Sequence, residues 1–374
     1  MRPLFAPVVI FLLCLAGMMS AAQAPSSGTA EKVAILAPVA HQVIQRQPDS
    51  VGKADAKGQR TGFAATRLVL DQAGSFEWRV VALTAAFGKG TDWTGVSVTT
   101  MAGATSALIT IPAGGWYRLE LRRSGNATLA GKVEPIGVGE VFLVAGQSYA
   151  ENCNDEQLKV EEPQGRVTAL DLKTGTWAVA NDPQPNLSSN YANGSIWPAC
   201  GDALAKTTRV PVGFVNVARA ATASVSWLPG QELYRNLVRA GKSLGSFRAV
   251  LWQQGESDVI ARTTTETYVS NLVAIRTGVA KEWAFEPAWL LAKSTIHPTV
   301  YKNPQQEAVI RAAIDRLWNT PGFRPGPDTD TLTGENRGGA GSKQHFTGLG
   351  QRRAGNLWAK AIAELIGVPT SPAR

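Results

Sequence analysis

The chain has 374 residues and a formal net charge of +8. That length is enough for two domains with real cores. Lys and Arg are scattered rather than clustered, which excludes a nucleic-acid-binding stripe and leaves at most an attraction to acidic envelope or polysaccharide surfaces.

The first segment reads Met1-Arg2, the apolar run "FAPVVIFLLCLAGMM", and Ala22-Gln23-Ala24 ahead of a Pro/Ser/Gly-rich stretch. This is the pattern of a secretory leader over residues 1–24, and no later segment approaches the roughly 18 apolar residues of a membrane span. The expectation is an exported, soluble protein, periplasmic or secreted, with a mature charge of +7 because the leader holds Arg2 and no acid. Cys14 lies inside the leader without the small residues a lipoprotein site places before it. Cys153 and Cys200 remain, as one disulfide or as two unlinked buried thiols.

From about 32 to 135 the runs "FEWRVVAL", "GVSVTTM", "SALITIPAG" and "WYRLELRR" alternate with period two between turns, and "PAGGWYRLEL" reads as strand, turn, strand. This predicts an antiparallel β-sandwich domain over 25–138, Ig-like or jelly-roll-like, with no ionisable cluster suggesting catalysis. After Gly139 the texture changes to apolar strands at 141–146, 211–218, 248–255 and 288–294, alternating with helices at about 199–207, 264–282, 304–318 and 347–366. Such alternation calls for an α/β domain over 139–374, a parallel sheet in three layers, with "VTALDLKTGTWAVA" as an inserted hairpin.

"VFLVAGQS" ends a buried strand at Ser148, where ligands of open α/β sheets sit. A serine hydroxyl needs an imidazole base and donors for the developing oxyanion. Of three histidines, His41 falls in the sandwich, His297 follows the fourth strand, and His345 precedes the last helix in "SKQHFTGLG". His345 has the better position for a base; His297 is second, suiting a pocket wall or a purely structural place.

"VFLVAGQS", "PVGFVNVA…SVSWLPG", "WQQGESD" and "HFTGLG", in that order over roughly 139–366, resemble the SGNH-hydrolase superfamily, and within it the sialate O-acetylesterase-like carbohydrate esterases with their GQSN and HQGESD blocks. The resemblance implies a three-layer α/β/α flavodoxin-like fold and a cofactor-free Ser-His esterase that removes acetyl groups from sugars. A sandwich ahead of the hydrolase is also similar to members of that group. Ser148 matches the nucleophile and His345 the base. Gln254 matches the residue that joins the backbone N–H of Ser148 in the oxyanion hole, with a backbone N–H near Gly194 completing it.

Two positions depart from the pattern. Tyr149 stands where the family has Asn. Ser342 stands where the family has Asp three residues before the histidine, and a serine supplies no charge to stabilise imidazolium. Glu256 is the first candidate for the missing acid, Asp328 and Asp330 in "GPDTDTL" are others, and a dyad without carboxylate is the remaining arrangement. In the serine-protease triad, replacing the Asp lowers kcat by about 10⁴ without abolishing catalysis.

Other features point nowhere else. "RAGKSLG" around Lys242 ends like a phosphate loop but has Asn236 at the first glycine position, and reads as a loop. No G-x-S-x-G elbow and no H-E-x-x-H occur, so no metal is expected, and "DTDTLTG" fails as a calcium loop at Leu332. A rival reading is a catalytically silent glycan-binding or envelope module, with Trp197 and Trp227 stacking on sugar rings or else packing in the core. A third keeps the chemistry and changes the substrate to a lipid or thioester. The expected partner is an acetylated carbohydrate; oligomeric state is open.

Overall fold

In the computed structural model the described residues are 32–47, 62–187, 189, 191–299, 301–338 and 344–368. The predicted leader, residues 1–24, and Ser342 lie outside them.

The N-terminal part contains β1 (Ile35–Ala37), β2 (Val43–Gln45), β3 (Phe63–Leu70), β4 (Gly74–Phe87), β5 (Thr94–Met101), β6 (Ala104–Pro112) and β7 (Gly114–Arg123). The order β1-β3-β6-β5-β4-β7 is antiparallel throughout. Period-two alternation sends Leu68, Phe76, Trp78, Val80, Ile109, Ile111 and Leu119 into one apolar cluster, which is what drives these segments to pair.

β8 (Leu129–Gly146) changes the character of the sheet. Its first half pairs antiparallel with β7, whereas its second half is flanked by two parallel strands, β11 (Val212–Asn216) and β12 (Ala249–Gln253). β13 (Ala288–Lys293) and β14 (Phe323–Asp328) continue the parallel sheet beyond β12. β9 (Val167–Asp171) joins β11 on the other side and carries its hairpin partner β10 (Thr176–Val179), so the expected hairpin is also a sheet edge.

Both faces of the parallel part are covered, hence the unbroken apolar runs. Phe142 and Val144 pack with Trp197 and Leu204 of α1 (Trp197–Thr208) and with Trp358 and Ile362 of α6 (Gly348–Leu365). Val141, Leu143 and Ala145 face Leu237 of α2 (Glu232–Leu244), Ile275 of α4 (Thr265–Trp283) and Leu317 of α5 (Pro304–Trp318). A short α3 (Glu256–Ile260) follows β12. Helix starts are set by side-chain caps: Thr264 accepts from the Thr267 N–H, Asn303 from Gln306 ahead of Pro304, and Thr347 from Gly350.

One expectation is corrected and one strand was not foreseen. β14, "FRPGPD", is absent from the expected strands; among the described residues it pairs only with β13, which leaves it an edge strand, where proline is tolerated. "RAGKSLG" is not a loop: Arg239–Leu244 form the last turns of α2, and Gly245, at φ +67°, ends it. Of the two readings of Trp197 and Trp227, packing in the core holds, since both are fully buried. Cys153 and Cys200 are free, buried thiols. Among the described residues no helix is long and apolar enough to cross a membrane, and no group of His, Cys, Asp and Glu could hold a metal.

At the base of the parallel sheet Glu140 is fully buried and accepts from Arg46 at 2.7 Å, from Arg248 at 2.7 Å and from the Gln45 amide at 3.0 Å. Burial alone would raise its pKa; the two guanidiniums win and hold it below the usual carboxylate range.

Candidate active site

The turn that follows β8 carries Ser148. Gly146 makes that turn possible: its φ is +129°, and a Cβ there would lie 2.1 Å from the Gln253 carbonyl oxygen. The Gln147 N–H donates to that same carbonyl, and the N–H groups of Ala150 and Glu151 return to the Gln147 carbonyl. Ser148 therefore sits at the carboxyl edge of the sheet with 8% of its surface exposed.

β12 delivers the neighbouring segment. The Gln147 Oε1 accepts from the Ser257 N–H at 3.1 Å and from the Gln254 amide at 3.3 Å. The Gln254 amide also donates to Asp258 at 2.6 Å and faces the Thr222 carbonyl at 3.2 Å, while its Oε1 accepts from the Tyr268 hydroxyl at 3.0 Å. Gln254 thus stands beside the loop of Ser148 with its side chain held on several sides.

His345 reaches this edge through Tyr149. The Tyr149 and His345 rings are 5.2 Å apart in an edge-on contact, and the Tyr149 hydroxyl donates to the Gln344 carbonyl at 2.7 Å. The Phe346 N–H donates to Asn154 at 3.2 Å, and the Asp155 N–H to the Phe346 carbonyl at 3.0 Å. The segment after Ser148 and the segment around His345 are therefore stitched together, and the tyrosine that departs from the family's Asn makes one of the stitches.

Burial pushes the His345 imidazole down to about 4, with His297 and Arg337 adding unfavourable positive charge. The ring is neutral at pH 7, the state a general base requires. His297 is near enough to couple to His345; burial lowers it too, and its Nδ1 is buried without a hydrogen-bond partner. His41 is elsewhere, beside Trp116 with its ring 6.1 Å away.

The candidate carboxylates differ in how they are spent. Asp328 is paired with Arg311 at 2.6 Å. Asp330 accepts from Arg311 at 2.8 Å and from the Thr295 N–H and hydroxyl at 2.9 and 2.7 Å. Glu256 is buried behind these; its Oε1 takes the Ser294 hydroxyl, while Oε2 is buried with no hydrogen-bond partner. Burial raises its pKa to about 8, and the charge of Asp330 adds to the rise. None of the three carboxylates is ion-paired to His345, and the position of Ser342 is outside the described residues.

Gly194 lies against the loop after Ser148, where a Cβ would be 1.5 Å from the Glu156 carbonyl oxygen, and its N–H donates to the Asn154 carbonyl at 2.9 Å. Residues that sequence reasoning passed over include Arg337, whose guanidinium lies 4.6 Å from the Tyr149 ring and 4.8 Å from the Phe346 ring, and Ser294, the partner of Glu256. Neither belongs to a motif; only the proximity of Arg337 to "HF" hinted at it.

A family model described as carbohydrate esterase, sialic acid-specific acetylesterase, matches residues 138–364. A probable carbohydrate esterase of Arabidopsis thaliana is 27% identical over 161 residues, which span 37% of this chain and 62% of that protein. The crystal structure of a carbohydrate acetylesterase from Xanthomonas citri superposes with a TM-score of 0.54 at 16% identity, covering 88% of this chain and 74% of that one, a likeness of fold. A solved Arabidopsis thaliana protein is similar at a TM-score of 0.48 and 18% identity, covering 60% of this chain and 98% of its own. With the family model covering more than half of the chain, this protein belongs to the sialic acid-specific acetylesterase family of carbohydrate esterases.

Proposed function

We propose that the protein is an exported esterase that removes O-acetyl groups from sugars or polysaccharides through an acyl-enzyme on Ser148. The observation that carries this reading is the Tyr149–His345 contact, with its Gln344 hydrogen bond, which ties the serine's loop to the histidine's. Ser148 Oγ attacks the acetyl carbonyl as His345 takes its proton; His345 then protonates the departing sugar oxygen and activates water against the acyl-enzyme.

The oxyanion forms beside the Ser148 N–H, which has no backbone acceptor among the described residues. Gln254 adds a second donor: one amide hydrogen goes to Asp258, and the other, divided between Thr222 and Gln147 at 3.2 and 3.3 Å, is the one an oxyanion recruits. Gly194, its N–H spent on Asn154, supports the rim. Glu256 is the third member: Asp328 and Asp330 are both engaged by Arg311, whereas the Glu256 Oε2 is uncommitted.

The fold reading is supported by the strand order β11-β8-β12-β13-β14 with helices on both faces, the order of a flavodoxin-like sheet, and by the antiparallel N-terminal strands packed as a sandwich ahead of it. Secretion to the periplasm or beyond rests on the leader pattern alone. The silent glycan-binding alternative loses Trp197 and Trp227, which are buried, and keeps only Ser342 in place of the family's Asp as its motive.

The test is purified Ser148→Ala against wild type on p-nitrophenyl acetate and on acetylated oligosaccharide. The variant should lose all measurable turnover while keeping its melting temperature. Undiminished hydrolysis by the variant defeats the proposal.

A further inference from the structure

A cleft of about 580 Å³ opens away from Ser148, between α1, the segment 158–166 and the exposed face of α6. None of Ser148, Gln254, Glu256 and His345 lines it. It runs beside α1 from Ala199 to Arg209, about 15 Å at the rise of an α-helix.

Its walls carry five cations against three carboxylates, and the carboxylates are largely consumed by the protein itself. Glu162 is paired with Arg166, and both oxygens of Asp202 accept backbone N–H groups, from Glu161 at 2.8 Å and Glu162 at 2.9 Å. Arg352 is answered by Glu156 at 3.0 Å. What remains is Lys159, Lys206 and Arg209, none in an ion pair among the described residues, against the exposed carboxylate of Glu161 and the half-buried, backbone-bonded carboxylate of Asp202. Arg209 is held in place by the Phe87 ring, 4.4 Å away, whose centroid the Arg166 guanidinium also approaches to 3.6 Å.

We propose that this cleft is a second binding site for a carboxylated polysaccharide, one bearing a single negative charge per sugar. Three unspent cations spread along a helix suit separated carboxylates. Leu158, Pro163 and Ala203 offer apolar patches to the C–H faces of sugar rings. Glu161 accepts sugar hydroxyls and repels a densely charged polyphosphate. The upper end begins two residues beyond Trp197, whose indole N–H donates to the Ala150 carbonyl in the nucleophile's loop at 2.8 Å, so a chain lying in the cleft leads away from the catalytic edge. The site goes beyond the esterase reading and does not require Ser148 to be active.

The experiment is calorimetric titration of the full chain with oligogalacturonate, with a neutral xylo-oligosaccharide and with inorganic polyphosphate of similar length at low ionic strength, repeated on the double variant Lys159→Glu/Lys206→Glu and on the milder Lys159→Ala/Lys206→Ala. Oligogalacturonate should bind, weaken with salt, and bind roughly tenfold or more weakly to the Glu variant and less so to the Ala variant, with p-nitrophenyl acetate hydrolysis unchanged in both. Equal binding of the neutral oligomer, tighter binding of polyphosphate, or undiminished uronate binding by the Glu variant each overturns the proposal. Uronate binding by a protein without esterase activity would instead sink the esterase reading and leave the cleft standing.

Discussion

Replacing Glu256 by Gln separates two roles of one buried carboxyl. Its folded pKa is about 8 against an ordinary 4.5, so between those values the native state holds a proton that the unfolded chain has released. Native proton uptake in excess of the unfolded state means that stability falls as pH rises through this window. At about 1.4 kcal/mol per unit, the group costs the wild type about 3 kcal/mol between pH 4.5 and pH 7, when the unfolded carboxyl is ionised and the native one still is not.

Gln does not titrate, and its Oε1 can accept the Ser294 hydroxyl as before, although its amide hydrogens gain no evident partner. That penalty is independent of pH, so the informative quantity is the slope: urea unfolding at pH 4.5, 6 and 7 should show the variant gaining on wild type by about 3 kcal/mol. Parallel stability curves for the two proteins would refute the buried, protonated state. Activity reports the second role. If the ionised carboxyl supports the His345 imidazolium, wild-type kcat climbs as pH passes 8, and the Gln variant loses that rise together with a factor on the order of 10² to 10⁴. Wild-type kcat in the variant removes Glu256 from the catalytic group.

His345, lowered to about 4 from 6.5, stays neutral far into acid, so kcat/KM should hold level through pH 6 with its acid midpoint nearer 4; a midpoint at 6.5 contradicts the burial. Tyr149→Phe removes the donor to the Gln344 carbonyl, costing about 1–3 kcal/mol in denaturant unfolding and lowering kcat more than it alters KM; an unchanged kcat means the stitch does not position the histidine. Glu140→Ala strands the guanidiniums of Arg46 and Arg248 and should cost about 3–5 kcal/mol. Because the Glu140 pKa is lowered, its contribution is present above 4.5 and fades as pH drops below it, so the gap between variant and wild type should narrow in acid; a gap independent of pH would contradict the ion-pair account.

Much of the candidate site was legible because it is written locally. An apolar run ending in Gly-Gln-Ser announces a buried strand and its turn, and "WQQGESD" and "HFTGLG" sit where strand ends and a capped helix expose side chains. β14 and α2 were harder. The first is an edge strand whose prolines are tolerated because, among the described residues, its outer side has no partner, and the second was masked by a glycine and a lysine that resemble a phosphate loop.

The sequence alone determined the division into alternating and continuous apolar segments and named the serine and the histidine, since periodicity and short motifs depend only on near neighbours. Which carboxylate is free, which donor is occupied and which tryptophan is hidden were decided by tertiary structure. Asp328 and Asp330 meet Arg311 from another helix, Gly194 gives its N–H to Asn154, and burial sets the proton affinities of Glu256 and His345. Hydrogen bonds and desolvation are properties of the space around a group, and residues distant in the chain fill that space.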